Sequence, residues 1–433
     1  VLIVFFTTFS LVFLKTGSGL AQVLSRPSIV FVGLISYSLY LWHWPVLAFT
    51  RWTMDVQGSW CLPLQISAFL GLSLFSYFFV EKPVRINANP LRRIRFIVYQ
   101  LLILFAGWLV LVSISHYKLY SFLFLGDQKL ASQLGGFADF SKTKFKYSAW
   151  SKSKCVFSSN HDVGKSVSVE ACSLQSFDPI KPTLLVVGNS FDVAQVRMYE
   201  SLVRRYNVIL TSSWGCQLAR HLKVQSGWKK SCSFYQDKVV PGLLGSLNPG
   251  DGVLLVSDLS TFSSNLTDGL GGLGVSPSAI YVNQKPSSLA VRLLVFDRDL
   301  REILSLLSKK HVFVVLQHMT PLTRGLPGPS MCTYLFGNST TSSRDCPYES
   351  KSIHLAARRD LDLVLRGLAR DFRNFLIFDP FDLACPGSRC TYFGSDGGLL
   401  YRDNAHFSDA FSYRLSFILD QRLSLFLRKY GPT

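Results

Sequence analysis

Apolar residues crowd into the first 118 positions of this chain, and that asymmetry constrains its fold more than any other feature. Val1 to Leu14, Pro27 to Phe49, Leu64 to Val80 and Phe96 to Ile114 are nearly free of charge. A helix needs roughly 20 such residues to cross the hydrocarbon core of a bilayer. The pattern therefore predicts four spans, the first of them short at its start. The chain opens on Val1, inside an apolar run and without a charged leader and cleavage site, and reads as a fragment or a front-trimmed chain. Beyond about residue 118 the periodicity becomes that of a globular protein. The sequence thus divides into spans over 1–118, a polar linker over 119–150 and a folded domain over 151–433.

Basic loops orient the spans. Lys82, Arg85, Arg92, Arg93 and Arg95 cluster between the third and fourth runs, which places that loop in the cytoplasm, with Lys15 and Arg26 on the same side. Everything after about Tyr117 then lies on the outer side, and Trp42, Trp44 and Trp52 fall near the outer interface. His43 reads as an interfacial histidine beside two tryptophans, with an intramembrane functional group as the alternative. The whole chain carries a net charge of +18. Nine Lys/Arg against two Asp/Glu through Lys118 give +7, which leaves +11 for the rest. Such an excess of bases suits phospholipid or an anionic glycan. The sequence has neither a basic stripe with interleaved aromatics nor zinc-finger spacing, which argues against nucleic acid as a partner.

In the globular part, short apolar runs alternate with amphipathic ones. Strands are expected at Leu184 to Val187, Val208 to Thr211, Gly252 to Val256, Val312 to Leu316 and Phe375 to Phe378. Helices are expected at Val193 to Tyr206, Ser288 to Leu307, Ile353 to Arg370 and Asp409 to Leu427. This alternation specifies an α/β three-layer domain with a mostly parallel sheet covered on both faces, its functional edge at the strand C-termini. Eight of the nine cysteines follow residue 150, as in a domain facing an oxidising compartment. They allow on the order of a hundred pairings, and nearest neighbours are the simplest: Cys155 with Cys172, Cys216 with Cys232, Cys332 with Cys346, Cys385 with Cys390. No cysteine or histidine cluster has metal spacing. Cys61 falls in an outer loop without an evident partner.

Two stretches carry chemistry. In VVGNSFD, Val186 to Asp192, an apolar strand breaks at Gly188-Asn189 and Ser190 stands at the turn into a helix. A hydroxyl there is exposed, and the amides beside it suit an oxyanion, as acyl-transfer nucleophiles require. The plain reading of Ser190 is a helix cap. In YRDNAHFSDAF, Tyr401 to Phe411, Asp403 and His406 precede the last helix. An Asp that accepts from imidazole Nδ1–H leaves the other nitrogen free to act as base. Ser408 is placed to cap the helix that follows.

The membrane part resembles the end of the acyltransferase-3 family, on ISYSLYLWHWPV (Ile35 to Val46) and FVEKPVR (Phe79 to Arg85). The family's proposed catalytic His and Arg lie upstream of this region, so no residue here is assigned to membrane catalysis. One more span followed by a globular domain is similar to the subset with a fused extracytoplasmic SGNH-hydrolase-like domain. That resemblance matches Ser190, Asp403 and His406 to nucleophile, orienter and base. It makes the Ser190 amide and Gly215, in SSWGCQ, the oxyanion donors. It departs at Asn189, where the family has Asp, at Phe191, and at VSDLSTF (Val256 to Phe262), which lacks the usual Asn donor. Ser257 and Asp258 stand there instead.

The resemblance implies an O-acyltransferase of the inner (plasma) membrane, with acetyl as the expected group. It implies an acetyl-CoA-like thioester as donor and a glycan of the envelope as acceptor. An esterase of the same fold and a non-catalytic glycan-presenting domain are the alternatives. Other signals are weaker. Gly269 to Gly274 matches a dinucleotide motif only formally and reads as a loop. Asn265 and Asn338 open sequons. His318 and His354 read as structural or surface residues. Residues 320–347 form a long loop that suits a substrate-side lid.

Overall fold

The structure, a computed structural model, describes residues 18–53, 61–86, 90–116, 150, 152–224, 229–263, 280–282, 285–321, 349–394, 398–403 and 405–430. It divides near Gly126 into two compact units.

The first unit is helical: α1 (Gly19–Leu24), α2 (Pro27–Thr53), α3 (Cys61–Ser76) and α4 (Pro90–His116). A wider π-type turn, Tyr77–Glu81, follows α3. Pro27–Thr50 and Leu62–Glu81 are long and apolar enough to cross a membrane. The apolar part of α4, Ile97–Ser113, is shorter, because Arg92, Arg93 and Arg95 occupy the helix's first turns. The Val1 to Leu14 run lies outside the described residues. Buried polar side chains join α2 to the next helix. Ser73 Oγ donates to the Ser38 carbonyl at 3.2 Å, Gln65 Nε2 donates to Thr50 Oγ1 at 2.8 Å, and Ser38 Oγ bonds Glu81. In an apolar solvent such pairs fix which helix faces meet. His43 turns its Nδ1 onto the Tyr40 carbonyl of its own helix, at 2.7 Å.

The second unit is built on six parallel strands: β1 (Val156–Phe157), β2 (Thr183–Gly188), β3 (Asn207–Ser213), β4 (Gly252–Val256), β5 (Phe313–Gln317) and β6 (Phe375–Phe378). Their order is β1-β3-β2-β4-β5-β6. Alternate residues of β2 face opposite layers. Leu185 and Val187 enter one core with Phe296, Leu300 and Leu304 of α6 (Leu289–Lys309) and Leu361 and Leu365 of α7 (Lys351–Asp371). Leu184 and Val186 enter the other with Phe191 of α5 (Ser190–Ala194) and Phe411, Leu415 and Leu419 of α8 (Asp409–Tyr430). The i, i+4 spacing in α8 puts those side chains on a single stripe.

The five expected strands form, and β1 adds an unforeseen edge. Two residues carry no readable periodicity; the Cys155–Cys172 disulfide holds them in the sheet. The continuous helix expected over Val193 to Tyr206 is corrected. It consists of α5 and two 3₁₀ turns, Val196–Tyr199 and Leu202–Arg204. Val196, Met198, Tyr199, Leu202 and Val203 are all buried, so this segment has no single apolar stripe to align a regular helix. Tyr199 closes the break by donating its hydroxyl to the Asp192 carbonyl at 3.1 Å.

Cys216–Cys232 and Cys385–Cys390 are also bonded. Cys332 with Cys346, both sequons, Gly269 to Gly274, most of the 320–347 loop and residues 119–149 lie outside the described residues. His318 and His354 are structural: buried, and paired with Asp362 at 2.7 Å and Glu349 at 2.9 Å.

Candidate active site

Strands β2, β3 and β4 end level, since Gly188 pairs with Ser212 on one side and Val256 on the other. A Cβ on Gly188 would stand 1.7 Å from the Val256 carbonyl oxygen, so only glycine lets the two strands approach here. Asn189 follows in extended conformation and caps α5, with Oδ1 accepting from the Phe191 amide at 3.2 Å. The same oxygen accepts from the Asp258 amide at 3.3 Å, and Nδ2 donates to the Cys216 carbonyl at 3.1 Å. Ser212 Oγ donates to the Asn189 carbonyl at 2.7 Å. One buried amide therefore ties together the loops that leave three neighbouring strands, and Ser190 rides on that knot.

The second stretch forms a tight loop into α8. Tyr401 and Phe407 pair as an antiparallel bridge, and the Arg402 amide donates to the His406 carbonyl at 3.0 Å. Tyr401 anchors the loop by donating its hydroxyl to the Pro321 carbonyl at 2.6 Å. Ser408 caps α8, accepting from the Phe411 amide at 3.2 Å. The loop delivers His406 to Ser190, 216 residues away in sequence: Oγ and Nε2 are 3.0 Å apart. The imidazole packs against the Phe191 ring, centroids 4.7 Å apart.

Asp403 completes the line. Its Oδ2 lies 2.8 Å from His406 Nδ1, and its Oδ1 accepts from the Ala405 and His406 amides at 2.8 and 2.6 Å. Burial opposes the charge on Asp403, but the bonds from the His406 ring and these amides outweigh it and hold the carboxyl below its usual range. An ionised Asp403 can only accept, so Nδ1 carries the imidazole proton and Nε2 offers its lone pair to the serine hydroxyl. This is the arrangement a serine nucleophile requires.

The other expected residues fall as follows. Gly215 lies in the loop after β3 with φ +66°, a left-handed backbone that suits glycine. Among the described residues no protein acceptor takes the Ser190 or Gly215 amide. Asp258 lends no donor side chain; its Oδ1 accepts from the Ser260 amide at 2.9 Å. The Ser257 hydroxyl is buried and unpartnered among the described residues. A cavity of about 190 Å³ lies on the other face of β2, walled by Val187, Leu244, Leu255 and Ile303 with Ser257. Ser190 and His406 are not among its walls, although Gly188 and Cys216 are.

Two residues escaped the reading of the sequence. Asp192, two residues after Ser190, is wholly buried, and burial pushes its carboxyl well above the usual range despite the bond from the Val193 amide. Arg402 lies beside Asp403, its Nε 3.7 Å from Oδ2. Both sit inside the two stretches that carry the line, Val186 to Asp192 and Tyr401 to Phe411.

Residues 154–421 match the family described as SGNH domain (fused to AT3 domains). A peptidoglycan O-acetyltransferase of Listeria monocytogenes is 30% identical over 73 residues, covering 16% of this chain and 12% of that protein. A putative O-acetyltransferase of Staphylococcus aureus (strain COL) is 37% identical over 75 residues, again 16% of this chain and 12% of the relative. Among solved structures, the lipopolysaccharide acetyltransferase periplasmic domain of Salmonella ser. Paratyphi A aligns with a TM-score of 0.41. It is 13% identical and covers 67% of this chain and 100% of that one.

Proposed function

The chain belongs to the family of SGNH domains fused to AT3 domains, and on that premise we propose that it is part of a membrane O-acyltransferase that modifies a glycan of the cell envelope. The observation that carries this reading is the line from Ser190 Oγ through His406 to Asp403, at 3.0 and 2.8 Å.

Ser190 attacks the carbonyl carbon of an acyl donor while His406 Nε2 takes its proton. Asp403 stabilises the imidazolium that results. The oxyanion of the tetrahedral intermediate lies against the Ser190 and Gly215 amides. Collapse expels the donor's leaving group, which takes the proton from His406 and leaves an acyl-serine. A glycan hydroxyl then gives its proton to His406 and attacks the acyl carbon, and the acceptor ester forms as His406 returns that proton to the departing Ser190 Oγ. The donor at the start is an acetyl thioester such as acetyl-CoA, its acyl group passed outward by the membrane part. The domain works on the outer side of the membrane, and the acceptor class follows the glycan names carried by the relatives.

The test uses the full chain in detergent with a chromogenic acetyl ester as donor, alongside Ser190→Ala, with and without peptidoglycan or lipopolysaccharide fragments. Ser190-dependent release that rises with acceptor and yields acetylated glycan is the expected result. Release that needs Ser190 but ignores acceptor favours hydrolysis. An unchanged Ser190→Ala enzyme would overturn the nucleophile assignment.

A further inference from the structure

We propose that Arg402 is a positioning residue for the Ser190–His406–Asp403 line, its cation set against the Asp403 oxygen that binds the imidazole so that it tempers the negative charge His406 feels. The proposal rests on the role given above to that line.

Three observations on the loop carry it. Asp403 Oδ2, 2.8 Å from His406 Nδ1, is the atom that Arg402 Nε faces at 3.7 Å. Oδ1 is already bound by two amides, so the carboxylate has a fixed orientation and its cation acts on the oxygen that matters. The Arg402 side chain is 11% exposed and that of Asp403 42%, so the cation is withdrawn from water while its partner stays partly solvated and the pair is only partly screened.

Burial lowers the guanidinium to about 10, against the pull of Asp403 and Asp409. Arg402 therefore remains a cation throughout the neutral range. Among the described residues, the other charges that act on this pair are Asp409, at the start of α8, and Arg197, which acts on Asp409 from the first 3₁₀ turn. Burial keeps the Tyr401 hydroxyl neutral. Arg402 thus acts on both Asp403 of the loop and Asp409 at the start of α8.

An Asp alone raises the basicity of the histidine it orients, because it favours the imidazolium. A cation on the same carboxylate offsets part of that effect. Asp403 still fixes the His406 tautomer.

The experiment follows His406 itself, so its outcome is independent of whether the chain transfers acyl groups. The full chain in detergent micelles, labelled at histidine ¹³Cε1, is titrated by NMR, with His406→Gln used to identify its signal among the eight histidines. Arg402→Gln should move the His406 midpoint up by about half to one pH unit, the scale of a partly buried charge removed nearby. Arg402→Lys, which keeps the charge, should stay within roughly 0.2 unit of wild type. Arg402→Met keeps the apolar stem and serves as the neutral variant should Arg402→Gln misfold. An unmoved midpoint in a folded neutral variant would overturn the proposal, and so would a shift in Arg402→Lys equal to that in Arg402→Gln. Where turnover is measurable, the acidic limb of kcat/KM should move in the same direction; a Ser190→Ala enzyme with full activity would refute the catalytic reading and leave the titration result standing.

Discussion

Asn189 Nδ2 donates to the Cys216 carbonyl oxygen at 3.1 Å, a bond that an aspartate in its place cannot make. Its other side-chain atom, Oδ1, accepts from two amides, so the position uses both a donor and an acceptor. Asn189→Asp should therefore place a carboxylate oxygen against a carbonyl oxygen in a site only 3% exposed. The expected cost is about 1–3 kcal/mol for the buried groups left unpaired. It should appear as a lower midpoint of thermal unfolding and slower acyl transfer. An equally stable and active Asn189→Asp would show that the knot beneath Ser190 is dispensable.

Asp403→Asn tests the tautomer argument. The amide can present its NH₂ to Nδ1, which turns the imidazole proton toward Ser190 and removes the base. A fall in kcat of about 10³–10⁴, with little change in unfolding midpoint, is expected by analogy with serine hydrolases that lose the same group. Rate assays and thermal scans on one preparation separate this from a folding defect. A loss of tenfold or less would mean that Asp403 serves mainly to shape the loop.

The sheet was legible because β2 to β5 each carry a short apolar run, as strands buried on both faces do. The line Ser190, His406, Asp403 was legible because each lies at an element boundary where regular backbone stops. Less legible was whatever depends on contacts between distant segments. Val193 to Tyr206 has the spacing of a helix, yet its side chains are claimed on more than one side, by the sheet and by α8, and the backbone breaks at Gln195. Asn189 reads in the sequence only as a departure from the family's Asp, and its value lies in bonding to Cys216 and Asp258, which are remote in sequence. Arg402 carried a signal of its own, a base beside a candidate catalytic acid, but only the loop's closure on itself gives the pair a purpose.

The disulfides should differ in consequence. Cys216–Cys232 closes a segment with a sequence separation of 16, and Cys385–Cys390 one of 5. Chain-entropy estimates give about 3 kcal/mol for the longer loop and about 2 for the shorter. The larger difference should be functional, because Cys216 follows Gly215 and its carbonyl holds Asn189. Replacing Cys216 and Cys232 by Ser should lower both the unfolding midpoint and the transfer rate. The Cys385/Cys390 double variant should lower mainly the midpoint. Equal losses of rate in the two variants would remove Gly215 from the site.

Asp192 gives the pH dependence of stability a definite sign. Burial raises its carboxyl well above 3.8 in the folded chain, whereas in the unfolded chain it ionises near that value. Between those two points the folded state binds the extra proton, so stability must fall as pH rises through the window. The slope from one such group is at most about 1.4 kcal/mol per pH unit. Asp192→Asn removes the ionisable group and keeps an oxygen for the Val193 amide, which donates to Asp192 Oδ1 at 2.5 Å. The variant should unfold at a higher temperature than wild type at pH 8, and the gap should close on acidification toward pH 4. A gap that widens on acidification would mean that Asp192 is ionised in the folded chain.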